Sequence, residues 1–589
     1  MYRAVISKHK NDDYGREAQQ KLNNLMKKLL AIILLPLFVA AQSQQSQSIE
    51  LPEFVITGQQ KISLPIMKKS KAKPVQLFSK DVQYQTFTLD QFSLTTVSMP
   101  VRQPALLFKE TKSYNNHLVL GAGQYTLPTG HFYFSQPFSN AKLYANLKGV
   151  NIKDYEEYAD YNRSYINLGS EFYISRTSSF LPYAIIGVDA EFDRREFHFY
   201  SNLRQPGSTP ARRELQRGKA KISLSNYADD IFDYQFTAGG NYLNIMGTNI
   251  EEILFDIKAD TRIKYSDFSL LLGGEYKLQQ LDKNLLNENY NFVFAKGALE
   301  YHLNSKMKIF AGAKYYLADV REVVNPLFIN PMSKQNESLI YPFGGLDYSV
   351  SNMLSINVKY DPYAVYSTIN DFLNKNRFTF VGNKLLDHSS FILFDNNLKK
   401  VNHHINASLK FGYKKYYEVT VGATFSKIDN QSYFTNDYTY NPTIAQPEFF
   451  YVDRVSDVTG YSLYANALYH LGPFGWFYGD AKFEVLETSS NKRIPYKPLL
   501  SLDAAYGYKF DFGLSAEIKV KYRYKYYRDI ANSGLLDDYI NLSSELKYSL
   551  TGNFDLTLQL NNLLNRDQEL WSGYLEPPFD IIAGFDFRF

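Results

Sequence analysis

The sequence predicts an all-β protein, a transmembrane antiparallel barrel of about 22 strands. Three observations carry this expectation. Long runs alternate apolar and polar residues with a period of two. The connections between those runs alternate between short and long. The composition holds 49 Tyr and 43 Phe, yet the mean hydropathy is only −0.34.

The alternation is plainest in two runs. Ile253, Phe255, Ile257, Ala259, Ile263 and Tyr265 face one way, and Asp256, Lys258, Asp260, Arg262 and Lys264 the other. Leu514, Ala516, Ile518, Val520, Tyr522, Tyr524 and Tyr526 likewise oppose Ser515, Glu517, Lys519, Lys521, Arg523 and Lys525. Each run is about 13 residues long, above the roughly 10 that cross a bilayer at a tilt. Charges at every second position cannot face lipid, so that face lines a wet interior. Helices and coiled coils fail on period. Near the C-terminal end, Phe554, Leu556, Leu558 and Leu560 alternate with Asp555, Thr557 and Gln559. Ile581, Ala583, Phe585, Phe587 and Phe589 then alternate with Ile582, Gly584, Asp586 and Arg588.

The connections are an independent test. Short turns are expected at Ser139-Asn140, Arg176–Phe180, Asp229–Phe232, Ser266-Asp267, Asn304-Ser305, Ser351-Asn352, Tyr413–Lys415, Leu471–Gly475, Asp511–Gly513 and Thr551–Asn553. Between them lie longer tracts at 151–163, 202–214, 280–290, 317–336, 363–399, 428–455, 488–496, 528–537 and 563–579. Tight turns at one end and long loops at the other are what such barrels show. Short turns near Pro128 and Gly247 leave the count open by two strands.

Composition excludes several classes. A helical membrane protein needs repeated apolar runs of about 20 residues, and the chain beyond residue 41 has none. Without Cys there are no disulfides, thiolate metal sites or Cys nucleophiles. A net charge of +4 gives no argument for nucleic acid. No nucleophile elbow, H-E-x-x-H spacing or phosphate loop occurs, so neither catalysis nor a cofactor is expected.

The N-terminal region reads as address and linker. Met26-Lys27-Lys28, an apolar Leu29–Val39 of about 11 residues and Val39-Ala40-Ala41 form a signal peptide over 26–41. Residues 1–25 read as an over-extended gene start or a cytoplasmic extension. Residues 42–116 form a linker that opens with a Gln/Ser tract, and the barrel is expected over 117–589. Within the linker, Glu53-Phe54-Val55-Ile56-Thr57-Gly58 is a short β-prone run in polar surroundings, suited to add to another protein's sheet edge or to serve as plain linker. Lys61, Lys68, Lys69, Lys71, Lys73 and Lys80, with Pro65 and Pro74, follow it.

These motifs together resemble the TonB-dependent receptors of bacterial outer membranes. Glu53–Gly58 is similar to their TonB box, which would make a TonB-like periplasmic protein a partner. Asn561–Asp567 with Trp571–Tyr574 and Pro577-Pro578 resembles their last external loop. Leu120–Pro128 resembles the first strand of a barrel-only subgroup. Phe585, Phe587 and Phe589 resemble the closing-strand signature, which implies recognition by the barrel-assembly machinery and burial in outer-membrane lipid. The interval 59–116 departs from the family, whose plug domain is far longer. The resemblance implies transport of a solute across the outer membrane, with a plugless pore or a barrel anchoring a partner protein as the alternative.

Geometry adds a demand. About 22 strands at ~4.8 Å spacing and ~40° tilt enclose a backbone radius of roughly 22 Å, which must be closed. Inward-folding loops, the Lys-rich segment with its lysines meeting inward acids such as Asp256, Asp260, Glu517 and Glu545, or a separate protein could close it, and the loops with the Lys-rich segment are the expected closure. In loop 428–455, Tyr433, Phe434, Tyr438 and Tyr440 form either a stacking surface for a flat ligand or a self-packed loop and girdle. The row Lys519, Lys521, Arg523 and Lys525 either attracts anions or pairs with acids across strands. Asp154–Asp160 is a solvated loop or a cation site. His403 and His404 point to opposite faces and cannot share a metal.

Overall fold

Backbone amides in hydrocarbon have no water to pair with, so a spanning sheet must pair every strand on both sides. The chain meets that demand. The computed structural model describes residues 115–589, apart from 176, 179–180, 204–206, 208, 227–230, 249, 283–287, 323–332, 382–396, 414–415, 437–447 and 471. Glu53–Gly58, the Lys-rich segment, Tyr438 and Tyr440 lie outside the described residues.

The main sheet has 23 antiparallel segments. Two of them, Leu354–Tyr360 and Tyr363–Tyr366, are halves of one strand, since both pair with Leu398–Tyr413. The break falls at Asp361-Pro362, where proline has no N–H to give the ladder. The barrel therefore has 22 strands. It closes where the first strand, Asn116–Gly123, pairs with the last, Asp580–Arg588, in register from His117↔Arg588 to Gly123↔Ile582.

The strands that flank the ten expected short turns are joined at one end, and those that flank the longer tracts at the other. The two doubtful short connections are both genuine hairpins at the long-loop end, Gly123 to Thr126 and Ile245 to Ile250. The first divides the stretch expected as one strand, Leu120–Pro128. Asp580 holds the break open: its carboxylate accepts from Gln124 N (3.0 Å), Tyr125 N (3.1 Å) and Thr126 Oγ1 (2.8 Å).

The faces are as phased. Ile253, Phe255, Ile263 and Tyr265 are exposed, as are Leu120, Ile222, Leu299, Leu463, Ile518 and Leu556 around the wall. Ile340 is 71% exposed. A belt of exposed large apolar side chains in every sector has one stable environment, hydrocarbon. The opposite face carries the charges, in pairs: Lys296 to Asp260 at 2.8 Å, Lys264 to Asp233 at 3.0 Å, Arg523 to Asp503 at 2.8 Å.

One phasing needs correction. The run expected to extend through Tyr526 ends at Tyr524, because Lys525 adopts φ +51° and turns the chain. Tyr526 is buried in a separate pairing of Tyr526–Tyr527 with Leu535–Leu536, not turned to lipid.

Many strands outrun the membrane. Lengths of 15 to 17 residues, as in Ala184–His198 and Glu288–Asn304, rise roughly 40 Å at ~3.3 Å per residue and ~40° tilt, against an apolar band of ~25 Å. Beyond that band, outward positions turn ionic. Arg194 pairs with Glu214 at 2.7 Å, and Arg212 with Glu196.

At the seam, Gly121 faces Gly584. A Cβ on Gly584 would run into the carbonyl oxygen of Leu120 and the Cα of Gly121. Gly584→Val is therefore expected to block closure. The measurement is the compact species that a folded barrel gives on an unheated SDS gel, with Gly149→Val, where an added side chain meets open space, as a control that keeps it. Wild-type mobility for Gly584→Val would refute the seam geometry.

Candidate functional site

Protein folds into the mouth at the long-loop end. The segment after Tyr366 supplies the centre of this cap. Ile369, Phe372 and Leu373 recur at i, i+3 and i+4, giving one apolar face, and the helix Ile369–Lys375 buries it. Thr368 starts the helix with a capping box: its hydroxyl accepts from Asp371 N (3.2 Å), and Asp371 Oδ2 accepts from Thr368 N (2.8 Å). This helix was expected only as loop.

Aromatics lock the cap. Phe378 stacks on Tyr574 with centroids 3.5 Å apart, and Phe197 and Tyr200 meet Phe378 edge-on at 5.9 Å. Phe450 packs on Trp571 at 5.2 Å and Phe199 on Phe449 at 4.6 Å. These rings come from four different loops or strand ends, and each fully buried one contributes about 1.5–3 kcal/mol. Backbone bonds tie the segments further: Phe380 N donates to Phe450 O (2.7 Å), and Phe450 N to Phe378 O (3.1 Å). Tyr155 and Tyr200 hydroxyls both donate to Leu575 O at 2.9 Å.

Hydrogen bonds moor the cap to the inner wall. Asn370 N donates to Glu252 Oε2 (3.3 Å), Tyr366 hydroxyl to Gln279 Oε1 (2.7 Å), and Arg213 to Thr379 O. Arg195 and Arg217 reach the Asn374 side chain. All these wall residues face the lumen, since their strand neighbours Ile222 and Ile253 face lipid.

The sequence-predicted residues fall in three places. Tyr433 is buried in the hairpin Gln431–Thr435 with Tyr451–Val455, its hydroxyl donating to Asp453 Oδ2 at 2.7 Å. Phe434 packs edge-on against Trp571 (5.3 Å) and Phe372 (6.4 Å). Phe434 is used inside the cap, and Tyr433 in a second cluster with Val401, Ile428 and Val458. On the wall, Lys519 pairs with Glu517 (2.6 Å) and Glu545 (3.5 Å), Arg523 with Asp503, and Lys521 is exposed. Lys525 has left the row. At the seam, Phe585, Phe587 and Phe589 form an outward ring group, with Phe554 stacked on Phe585 at 5.7 Å and Phe587 on Phe589 at 5.2 Å. The acidic tract is partly folded in: Asp160 binds His198 at 2.5 Å and Ala159 is buried. His404 bonds Ser426 inside at 2.9 Å, while His403 lies near Tyr360 on the outer face.

Sequence reasoning missed the cap aromatics outside loop 428–455 and the inner arginines. A signal existed for the helix, the spacing Thr368-x-x-Asp371 around Ile369. The arginines had none, because alternation marks them only as inward.

No family model matches the sequence. Among solved structures, the siderophore receptor PiuA from Acinetobacter baumannii aligns at 12% identity, covering 82% of each chain, with a TM-score of 0.59. The two chains share a fold. The copper transporter OprC aligns at 10% identity over 81% of this chain and 80% of its own (TM-score 0.60). The FrpB iron transporter from Neisseria meningitidis does so at 10% over 81% and 82% (TM-score 0.60). At such identities the likeness is one of fold.

Lys497, in the segment under the cap, has its ammonium pushed down to about 8 by burial, with Glu484 opposing and Lys482 and Lys375 adding to the fall. A base held below its ordinary 10.5 binds its proton less readily folded than unfolded. Its contribution to stability therefore rises with pH between those two values. Lys497→Met is expected to raise the Tm at pH 7 and flatten the wild-type rise between about pH 8 and 10. Thermal melts in detergent check this, and an unchanged slope would contradict it.

Proposed function

We propose that this protein is an outer-membrane transporter of the receptor type, passing a solute through a barrel that the external cap keeps shut. The observation that carries the reading is the cap itself. Loops that served only as a surface coat would not need an aromatic core, a capped helix and hydrogen bonds to the lumen wall. Packing of this kind can hold a wide opening closed against leakage and still open as a unit. The receptor and transporter barrels of like fold support the same reading. The protein would reach its place through the assembly machinery, with Phe585, Phe587 and Phe589 as the recognised strand and outer-membrane lipid around the belt.

Energy for opening would come from the periplasm. Glu53–Gly58 is placed in sequence to be gripped as an added strand by a TonB-like protein. A TonB C-terminal domain is expected to retain the wild type in a pull-down and to lose Val55→Pro, whose ring removes a strand donor. Equal retention would remove the coupling.

Planar-bilayer recordings test closure. The full-length protein is expected to stay closed, and the Phe378→Ala/Tyr574→Ala double variant to open to a wide conductance. A wild-type pore that is open throughout would overturn the transporter reading in favour of a passive pore.

A further inference from the structure

Below the cap, one patch of the inner wall is over-supplied with cations. Arg163 stands opposite Arg195, and Asp193 opposite Arg217, on three adjacent strands. The single carboxylate of Asp193 takes Arg163 Nε at 2.8 Å and Arg195 Nη2 at 2.6 Å, and lies 3.7 Å from Arg217 Nη1. Three guanidiniums thus share one negative charge. Like charges set directly across a ladder repel, so the arrangement is costly unless something else uses it.

What neutral protein offers there is one amide. The Asn374 Oδ1 of the cap helix accepts from Arg217 Nη1 at 2.7 Å and from Arg195 Nη1 at 3.4 Å. Arg217 is only 8% exposed, and its Nε and Nη2 are buried without an acceptor among the described residues. That Nε–Nη2 edge is the one that grips two oxygens of a carboxylate or phosphate in a fork. Arg163 and Arg195 are less covered, with side chains 38% and 19% exposed on the lumen side, which leaves an approach from the water.

We propose that Arg163, Arg195 and Arg217 form a binding site for a multivalent oxyanion, whose place is held in this structure by the Asn374 carbonyl of the cap helix. An anionic oxygen makes charge-assisted bonds to guanidinium that are roughly twice as strong as those of a neutral amide. It therefore displaces Asn374 and loosens the helix from the wall. Ligand capture and release of the cap become one event. The inference deepens the transport reading, and rests on it, by assigning the solute a class: one bearing phosphate or clustered carboxylate groups.

Isothermal titration of the full-length protein in detergent, with inorganic pyrophosphate and with citrate as probes, tests the site. The wild type is expected to bind at least one of them. Asn374→Ala, which removes the competitor, should bind about threefold more tightly, and Arg217→Gln about tenfold more weakly. Arg163→Gln, on the open side, gives a second weakening if Arg217→Gln fails to give a compact barrel on an unheated gel. Stronger pyrophosphate binding marks a phosphoryl ligand, and stronger citrate binding a polycarboxylate. Absence of heat with both probes, or an Asn374→Ala affinity no higher than wild type, overturns the site. Either result leaves the bilayer recordings, and the transport reading they test, untouched.

Discussion

The structure depends on a rule of solvent: inside hydrocarbon, an unpaired peptide group costs several kcal/mol, so a sheet that enters must have no edge. The pairing of Asn116–Gly123 with Asp580–Arg588 removes the last edge. Residues at opposite ends of the described chain are thereby neighbours, and the seam is finished by side chains as well. Asp586 takes His117 at 2.6 Å inside, and Asn116 and Phe589 exchange backbone bonds at 3.1 Å. Everything else, including a lumen wide enough to need closing, follows from the number of strands that the circle contains.

Closure creates the second problem, and the cap answers it with the chemistry of a soluble core. Over most of its depth the inward face of the wall is ionic, and only near the long-loop end does it carry apolar side chains such as Leu215, Ile245 and Phe292. Hydrophobic burial is therefore concentrated where loops meet, around Phe378, Phe450 and Tyr574. The anchoring bonds to Glu252, Gln279 and the arginines then add direction to the contacts this core makes with the apolar rim of the wall. Because the core is built from several loops, it is cooperative: loss of one ring loosens neighbours from other segments.

Much of the barrel was legible because lipid leaves few options. Period two, charges confined to one parity, and short turns set against long tracts are direct imprints of a two-faced wall. They placed the strands, the faces of residues 253–265 and the outward ring group at Phe585. Tyr526 escaped this logic because one residue, Lys525, reverses the parity through a positive φ that pattern alone does not mark. The cap was least legible. Its contacts join residues such as Phe378 and Tyr574, far apart in sequence, and nothing local reports which loops will meet. Tyr433 and Phe434 were visible as aromatics in a loop, but their partners Asp453, Trp571 and Phe372 were not visible as partners.

The ion pairs on the outer surface above the apolar belt, Arg194 with Glu214 and Arg212 with Glu196, have an effect on position. Sinking the barrel by one strand residue would drag charged pairs into oil, and lifting it would bare leucines and isoleucines to water. The waterline is thus pinned from both directions. Any pull exerted from the far side of the bilayer must spend its force on moving parts within the ring, because the ring itself resists being hauled down.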